Sequence, residues 1–135
     1  MQFDTKLAVV LGEGLAVWQK LNVTAFLVSG IAAADGIVGE PYRDADGRLY
    51  RPMIRQPVLV FEAGADALRA AFDRSLERGL TPALFTRDLF ATGHDAANRA
   101  AVAAVGTAAL DLAGFAVHGE KRLVDKALKG LRLHP

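Results

Sequence analysis

Residues 6–11, "KLAVVL", form a short apolar run with β-branched centres, the pattern of a strand buried on both faces. The glycine-bearing turn "GEG" (12–14) ends it. From Trp18 to about Ala34, Leu21, Ala25, Val28 and Ala32 recur at three- and four-residue steps, flanked by Leu27 and Ile31, which predicts one long, well-buried helix. A second buried strand is expected over "PVLVFE" (57–62). In "GADALRAAFDRSLERG" (64–79), Leu68, Ala71, Phe72 and Leu76 fall on one side and Arg69, Asp73, Arg74 and Glu77 on the other. This predicts an amphipathic surface helix stopped by Gly79.

Three further strands and two helices complete the pattern. "PALFTR" (82–87) and "LAGFAVHG" (112–119) predict strands, and "LRLHP" (131–135) a short terminal strand or tail. Between them, "AANRAAVAAV" (96–105) predicts an alanine-rich helix capped by Asp95 and ended by Gly106, and "EKRLVDKALKG" (120–130) a last helix. The alternation implies an α/β three-layer sandwich, a mixed sheet of four to five strands with helices on both faces. Only residues 35–56, rich in Gly, Pro, Asp and Arg, break the rhythm, and they predict a surface hairpin or loop.

Composition narrows the function classes. A chain of 135 residues that is 52% hydrophobic suits one domain spanning residues 1–135. The absence of cysteine excludes disulfides, thiolate metal sites and a cysteine nucleophile, and suits a reducing compartment. His94, His118 and His134 lie too far apart for a local metal motif, and no cofactor or metal is expected. "DADG" (44–47) lacks calcium-loop spacing, and "GEG" lacks the third glycine of a dinucleotide fingerprint. With no signal-like N-terminus and no long uncharged apolar window, a cytoplasmic protein without a membrane span is expected. The net charge of +1 does not advertise nucleic-acid binding. The arginines and tyrosines of 42–55 and the basic residues of 121–132 read as solvated surface, which leaves RNA contact open.

The candidate chemistry follows from topology. If the first three strands are joined by helical crossovers, their carboxyl ends share one edge, where ligands of open α/β sheets bind. That edge collects Gly12, Glu13 and Gly14, then Glu62, then Arg87, Asp88 and Thr92. Lys20 falls in the first turn of the long helix, where the macrodipole disfavours an ammonium and an anion is attracted. In "FTRDLFATGHD" (85–95), Asp88 and Thr92 are read as site residues. Asp95 is read as a helix cap, with His94 exposed beside it.

The stretches "KLAVVLGEGLAVWQKLNVTAFLVSGIA", "QPVLVFEAGADALRAAFDRSLERGL", "LFTRDLFATGHD" and "FAVHGEKRLVDKALKGLRL" resemble the type 2 peptidyl-tRNA hydrolase superfamily over nearly the whole chain. The closer likeness is to a bacterial branch of it, the domain-of-unknown-function two thousand family. The resemblance implies metal-independent hydrolysis of an ester by water. In that scheme Asp88 activates water, Lys20 balances the developing charge, Thr92 holds the reacting group and Glu13 orients Lys20. Thr24, His94, Asn98 and Arg99 are the candidate substrate contacts, and homodimers are expected. Asp88-Leu89-Phe90 stands where those hydrolases read Asp-Ala-Gly, while Leu11 and Gln19 replace an arginine and a glycine. Two readings follow: a hydrolase of a small ester, an amide-like substrate or aminoacyl-linked RNA, and a non-enzymatic module binding a small anion or a protein.

Overall fold

The computed structural model describes residues 3–135. Its axis is β1 (Thr5–Gly12), in which Leu7, Ala8, Val9, Val10 and Leu11 are at most 2% exposed. Leu7, Val9 and Leu11 enter one core and Ala8 and Val10 the other, which explains a run of apolar residues with no polar alternation. β4 (Val58–Ala63) pairs parallel to β1 on one side and β6 (Leu112–Glu120) antiparallel on the other. β5 (Ala83–Thr86) adds outside β6 and β7 (Arg132–Leu133) outside β4, both antiparallel, giving the order β5-β6-β1-β4-β7. The segment 35–56 folds as expected, with a two-stranded hairpin of β2 (Tyr42–Arg43) and β3 (Leu49–Tyr50).

Helices cover both faces. α1 (Val17–Ala34) packs Val23, Leu27 and Ile31 onto the Leu7, Val9, Leu11 face. α2 (Ala65–Glu77) and α4 (Lys121–Ala127) close the other face through Leu68, Ala71, Phe72, Val124 and Ala127. α3 (Asp95–Ala103) follows a 3-10 turn, Arg87–Ala91, beyond β5. α1 seats against β6 at Gly114, where an added Cβ would lie 2.8 Å from the Val10 carbonyl oxygen and 3.2 Å from Val23. Among the described residues, no helix is long and apolar enough to cross a membrane.

Several local expectations change. The third expected strand, β5, is not bonded to β1, because β6 lies between them, antiparallel to both. Two reversals leave β1, β4 and β5 pointing the same way, so their carboxyl ends still share an edge. α1 buries Val23, Leu27 and Ile31 in place of the Leu21, Ala25 stripe, and Leu21 is 68% exposed. A helix apolar on nearly every side has no periodicity from which to choose its buried face. On α2, Ser75 is buried with its hydroxyl donating to the Ala71 carbonyl, and Leu76 turns outward. The cap of α3 is His94, not Asp95. His94 has extended backbone and its Nδ1 accepts the Ala97 N–H at 3.2 Å, whereas Asp95 is already helical and pairs with Arg99.

Candidate functional site

The shared edge holds a hollow of about 450 Å³. β1 contributes the turn Gly12, Glu13, Gly14, β4 leads through Gly64 into α2, and Arg87 and Asp111 close the far side. The turn is tied to β4 by a 3.0 Å bond from the Glu13 N–H to the Ala63 carbonyl. α2 starts at Gly64 with no side-chain cap, so the N–H groups of its first turn have no helical acceptor. The Glu13 carboxylate lies against Gly64, 3.3 Å from where a Cβ would stand. Arg69 also lines the hollow, but its guanidinium is committed to the Thr107 carbonyl at 2.8 Å and to Asp73 at 3.2 Å. The guanidinium of Arg87 is freer. It is half-exposed, and its Nε lies 3.6 Å from Asp111.

Lys20 belongs to a different cluster. It faces β4 and β7, where its Nζ is 3.0 Å from His134 Nε2 and 3.6 Å from Glu62 Oε2. His134 Nε2 is itself 3.5 Å from Glu62. Lysine has only donors, so Nε2 accepts in its contact with Lys20, and Nδ1 lies 3.0 Å from the Pro135 backbone oxygen. The short strand β7 delivers His134 by pairing Leu133 with Phe61 and Arg132 with Glu62, and the His134 N–H donates to the Val60 carbonyl. The acid beside Lys20 is therefore Glu62 and not Glu13. Neither Glu62 nor His134 was singled out from sequence as a partner of Lys20. Glu62 carried a signal as the last charged residue of a buried strand, but His134 sits in a tail with no pattern of its own.

Asp88 lies exposed in the 3-10 turn after β5 and forms no ion pair among the described residues. Three strand spacings of about 4.8 Å separate β5 from β4, so the strands that carry Asp88 and the partners of Lys20 are about 14 Å apart. Thr24 donates its hydroxyl to the Lys20 carbonyl at 2.8 Å, within its own helix. Arg99 is paired with Asp95 at 2.8 Å. That hydrogen bond and charge hold the guanidinium above its ordinary pKa, while both side chains remain largely exposed.

Thr92, His94 and Asn98 do converge, at a second hollow of about 280 Å³ between α1, the 3-10 turn and α3. The Thr92 hydroxyl bonds the Leu89 carbonyl at 2.9 Å and touches the Asn98 amide oxygen. Opposite them stand Trp18, Phe26, Phe85 and Phe90. Trp18 and Phe90 meet edge to face at 6.0 Å, Phe85 and Phe90 lie 5.0 Å apart, and Phe26 meets Phe85 at 5.8 Å. The bulky Leu89 and Phe90 form part of this wall.

Fold and edge together define a mixed α/β domain with a ligand-sized crevice at the carboxyl ends of its co-directional strands. The chain belongs to the family described as protein of unknown function (DUF2000), whose profile matches residues 5–135. It is similar to a solved structure of a protein of unknown function from Agrobacterium tumefaciens strain C58. The two are 48% identical, the match covers 99% of this chain and 100% of that one, and the TM-score is 0.94. No curated protein matches the chain significantly.

Proposed function

We propose that the protein is a cytoplasmic small-molecule-binding module whose crevice receives an anionic group. The observation that carries this reading is the half-exposed Arg87 guanidinium in the same hollow as the uncapped N-terminus of α2, with glycine at 12, 14 and 64 where a ligand would approach the backbone. Glu13, lying against Gly64, would accept a hydrogen bond from a donor on the same ligand. The matching class is a small molecule with one anionic group and an adjacent hydroxyl or amine. Thermal denaturation with phosphate, sulfate and small hydroxy- or amino-carboxylates tests it. An anion at a hundredfold excess over its Kd raises stability by about 2.7 kcal/mol. Loss of that gain in Arg87→Ala supports the site, and no gain with any of these anions rejects it.

The second reading is the type 2 peptidyl-tRNA hydrolase-like one, with Lys20, Asp88, Thr92 and Glu13 acting on an ester, an amide-like substrate or aminoacyl-linked RNA. It needs Lys20 and Asp88 on one reacting group, and the engagement of Lys20 by Glu62 and His134 ranks it below binding. What favours it is the lysine itself, mostly buried beside an imidazole and a carboxylate. Turnover of peptidyl-tRNA that disappears in both Lys20→Ala and Asp88→Ala would reverse the order.

The outer face of α1 supports a homodimer. Lys20 is the only charged residue in α1, and it turns inward, while Val17, Trp18, Leu21 and Phe26 are 53–73% exposed. At about 150–250 Å² per large side chain, these four offer about 500 Å² per copy. Two copies would hide about 1,000 Å², the lower bound of a specific interface. An uncharged stripe meets its own copy across a two-fold axis without like-charge repulsion.

A further inference from the structure

We infer that the hollow between α1, the 3-10 turn and α3 binds an uncharged planar heteroaromatic ring with hydrogen-bonding atoms along one edge. This inference is independent of the anion reading of the crevice, because the two hollows have no lining residue in common.

One wall is aromatic. Trp18, Phe90, Phe85 and Phe26 form a chain of ring contacts, and the outer members Trp18 and Phe26 are 62% and 53% exposed. Rings with open faces are surfaces on which a flat ligand gains both apolar burial and ring-to-ring attraction. A buried core cluster would have left no such surface.

The other wall consists of hydrogen-bonding groups whose inner halves are already used. His94 Nδ1 accepts the Ala97 N–H, which puts the ring proton on Nε2 as a donor. Thr92 engages one end of the Asn98 amide, and the other end makes no hydrogen bond among the described residues. Asn22, from α1, makes no side-chain hydrogen bond among the described residues. The first turn of α3 adds backbone N–H groups at the same wall. Donors and acceptors both stand on this wall, so the ligand edge facing it carries both.

Charge excludes the other ligand classes. No lysine or arginine lines the hollow, and its one carboxylate, Asp95, is neutralised by Arg99 at 2.8 Å. A phosphate or carboxylate would find no counter-charge there, and an ammonium no free acid. An aliphatic chain would leave the polar wall unpaired, at the desolvation cost that buried polar groups carry.

Trp18 is the only tryptophan in the chain, so its emission reports on this hollow directly. The experiment titrates the full chain with uridine, nicotinamide, the saturated analogue cyclohexanecarboxamide and inorganic phosphate. Because the proposed homodimer would cover Trp18 and Phe26, protein concentration is held where light scattering shows monomer. A saturable change in Trp18 emission with at least one of the two rings is expected. The saturated amide and phosphate should produce none. Asn22→Ala and Asn98→Ala should each weaken the ring by about three- to tenfold. Asn22 is exposed and without a bond to lose, so its variant keeps the test meaningful if Asn98→Ala unfolds α3. Linear, unsaturable quenching by both rings overturns the inference. So does an equal response to the saturated amide, a phosphate response of the same size, or unchanged ring affinity in Asn22→Ala.

Discussion

The Lys20 ammonium lies 3.0 Å from Nε2 of His134, tying the first helix to the residue after the last strand across 114 residues of sequence. Glu62 stands beside both, and all three side chains are between 18% and 29% exposed. A hydrogen bond to a charged group contributes about 1.5–3 kcal/mol when sheltered, and the partial exposure here lowers that toward about 1 kcal/mol. Lys20→Ala and His134→Ala are each expected to destabilise the fold by about 1 kcal/mol, and the double variant by less than their sum. Urea unfolding of the four proteins checks this, and strict additivity would show that the two groups do not interact.

Gly114 admits no side chain without movement. A Cβ there meets the backbone oxygen of Val10 at 2.8 Å, and a strand carbonyl cannot swing aside as a flexible side chain can. Gly114→Ala should cost about 1–3 kcal/mol through overpacking between α1 and the sheet. Chemical denaturation measures it directly. A neutral result would mean that α1 and the sheet separate more readily than their packing implies.

The hairpin carries a pH signature. Tyr50 donates to Asp44 at 2.8 Å, and this bond, helped by the Arg48, Asp46 and Gly47 backbone, holds the Asp44 carboxyl below its ordinary value of 3.8. The same bond raises the Tyr50 phenol above 10.0. A lowered acid contributes stability above its unfolded pKa, lost as pH falls through the folded one. A raised phenol contributes below its unfolded pKa, lost as pH rises through the folded one. The bond therefore supports the hairpin between roughly pH 4 and pH 10. Tyr50→Phe should move Asp44 upward, toward its ordinary range. An NMR titration of the Asp44 carboxyl reads the shift, and no movement would mean that backbone donors alone set it.

Leu21 tests the homodimer. It is 68% exposed and makes no core contact, so Leu21→Glu should leave the monomer fold intact while placing a charge on the proposed two-fold axis. Light scattering should show two copies for the native chain and one for the variant. A native chain that stays monomeric at high concentration, or a variant that stays dimeric, removes α1 as the interface.

His94 tests the start of α3. Among the described residues its Nδ1 is the only side-chain acceptor at that cap, so His94→Ala should expose the helix amides, at a cost of about 0.5–2 kcal/mol for a lost cap. His94→Asn, which keeps an acceptor, should restore most of it. Amide exchange across residues 95–103 distinguishes the two.

Much of the fold was legible in local pattern. The run at 6–11 has the pattern of a strand buried on both faces, the charges of α2 marked its outer side, and Gly79, at φ 75°, stopped the chain where a left-handed residue was needed. The shared carboxyl edge was legible too, because crossover rules constrain the direction of strands even when they leave their neighbours open. The candidate site was less so. Lys20, Glu13 and Asp88 were each visible as polar residues near one edge, but which of them meet depends on how a helix turns about its axis and on which strands lie between.

The sequence by itself determined the elements, the two-sided burial of β1 and the polar character of the edge, since each follows from spacing within a dozen residues. Tertiary structure decided that β6 enters between β1 and β5, that α1 presents Val23 and not Leu21 to the core, and that Lys20 answers to Glu62 and His134. Those outcomes depend on long-range pairing and on the rotation of a helix apolar on almost every side, and no local period encodes either.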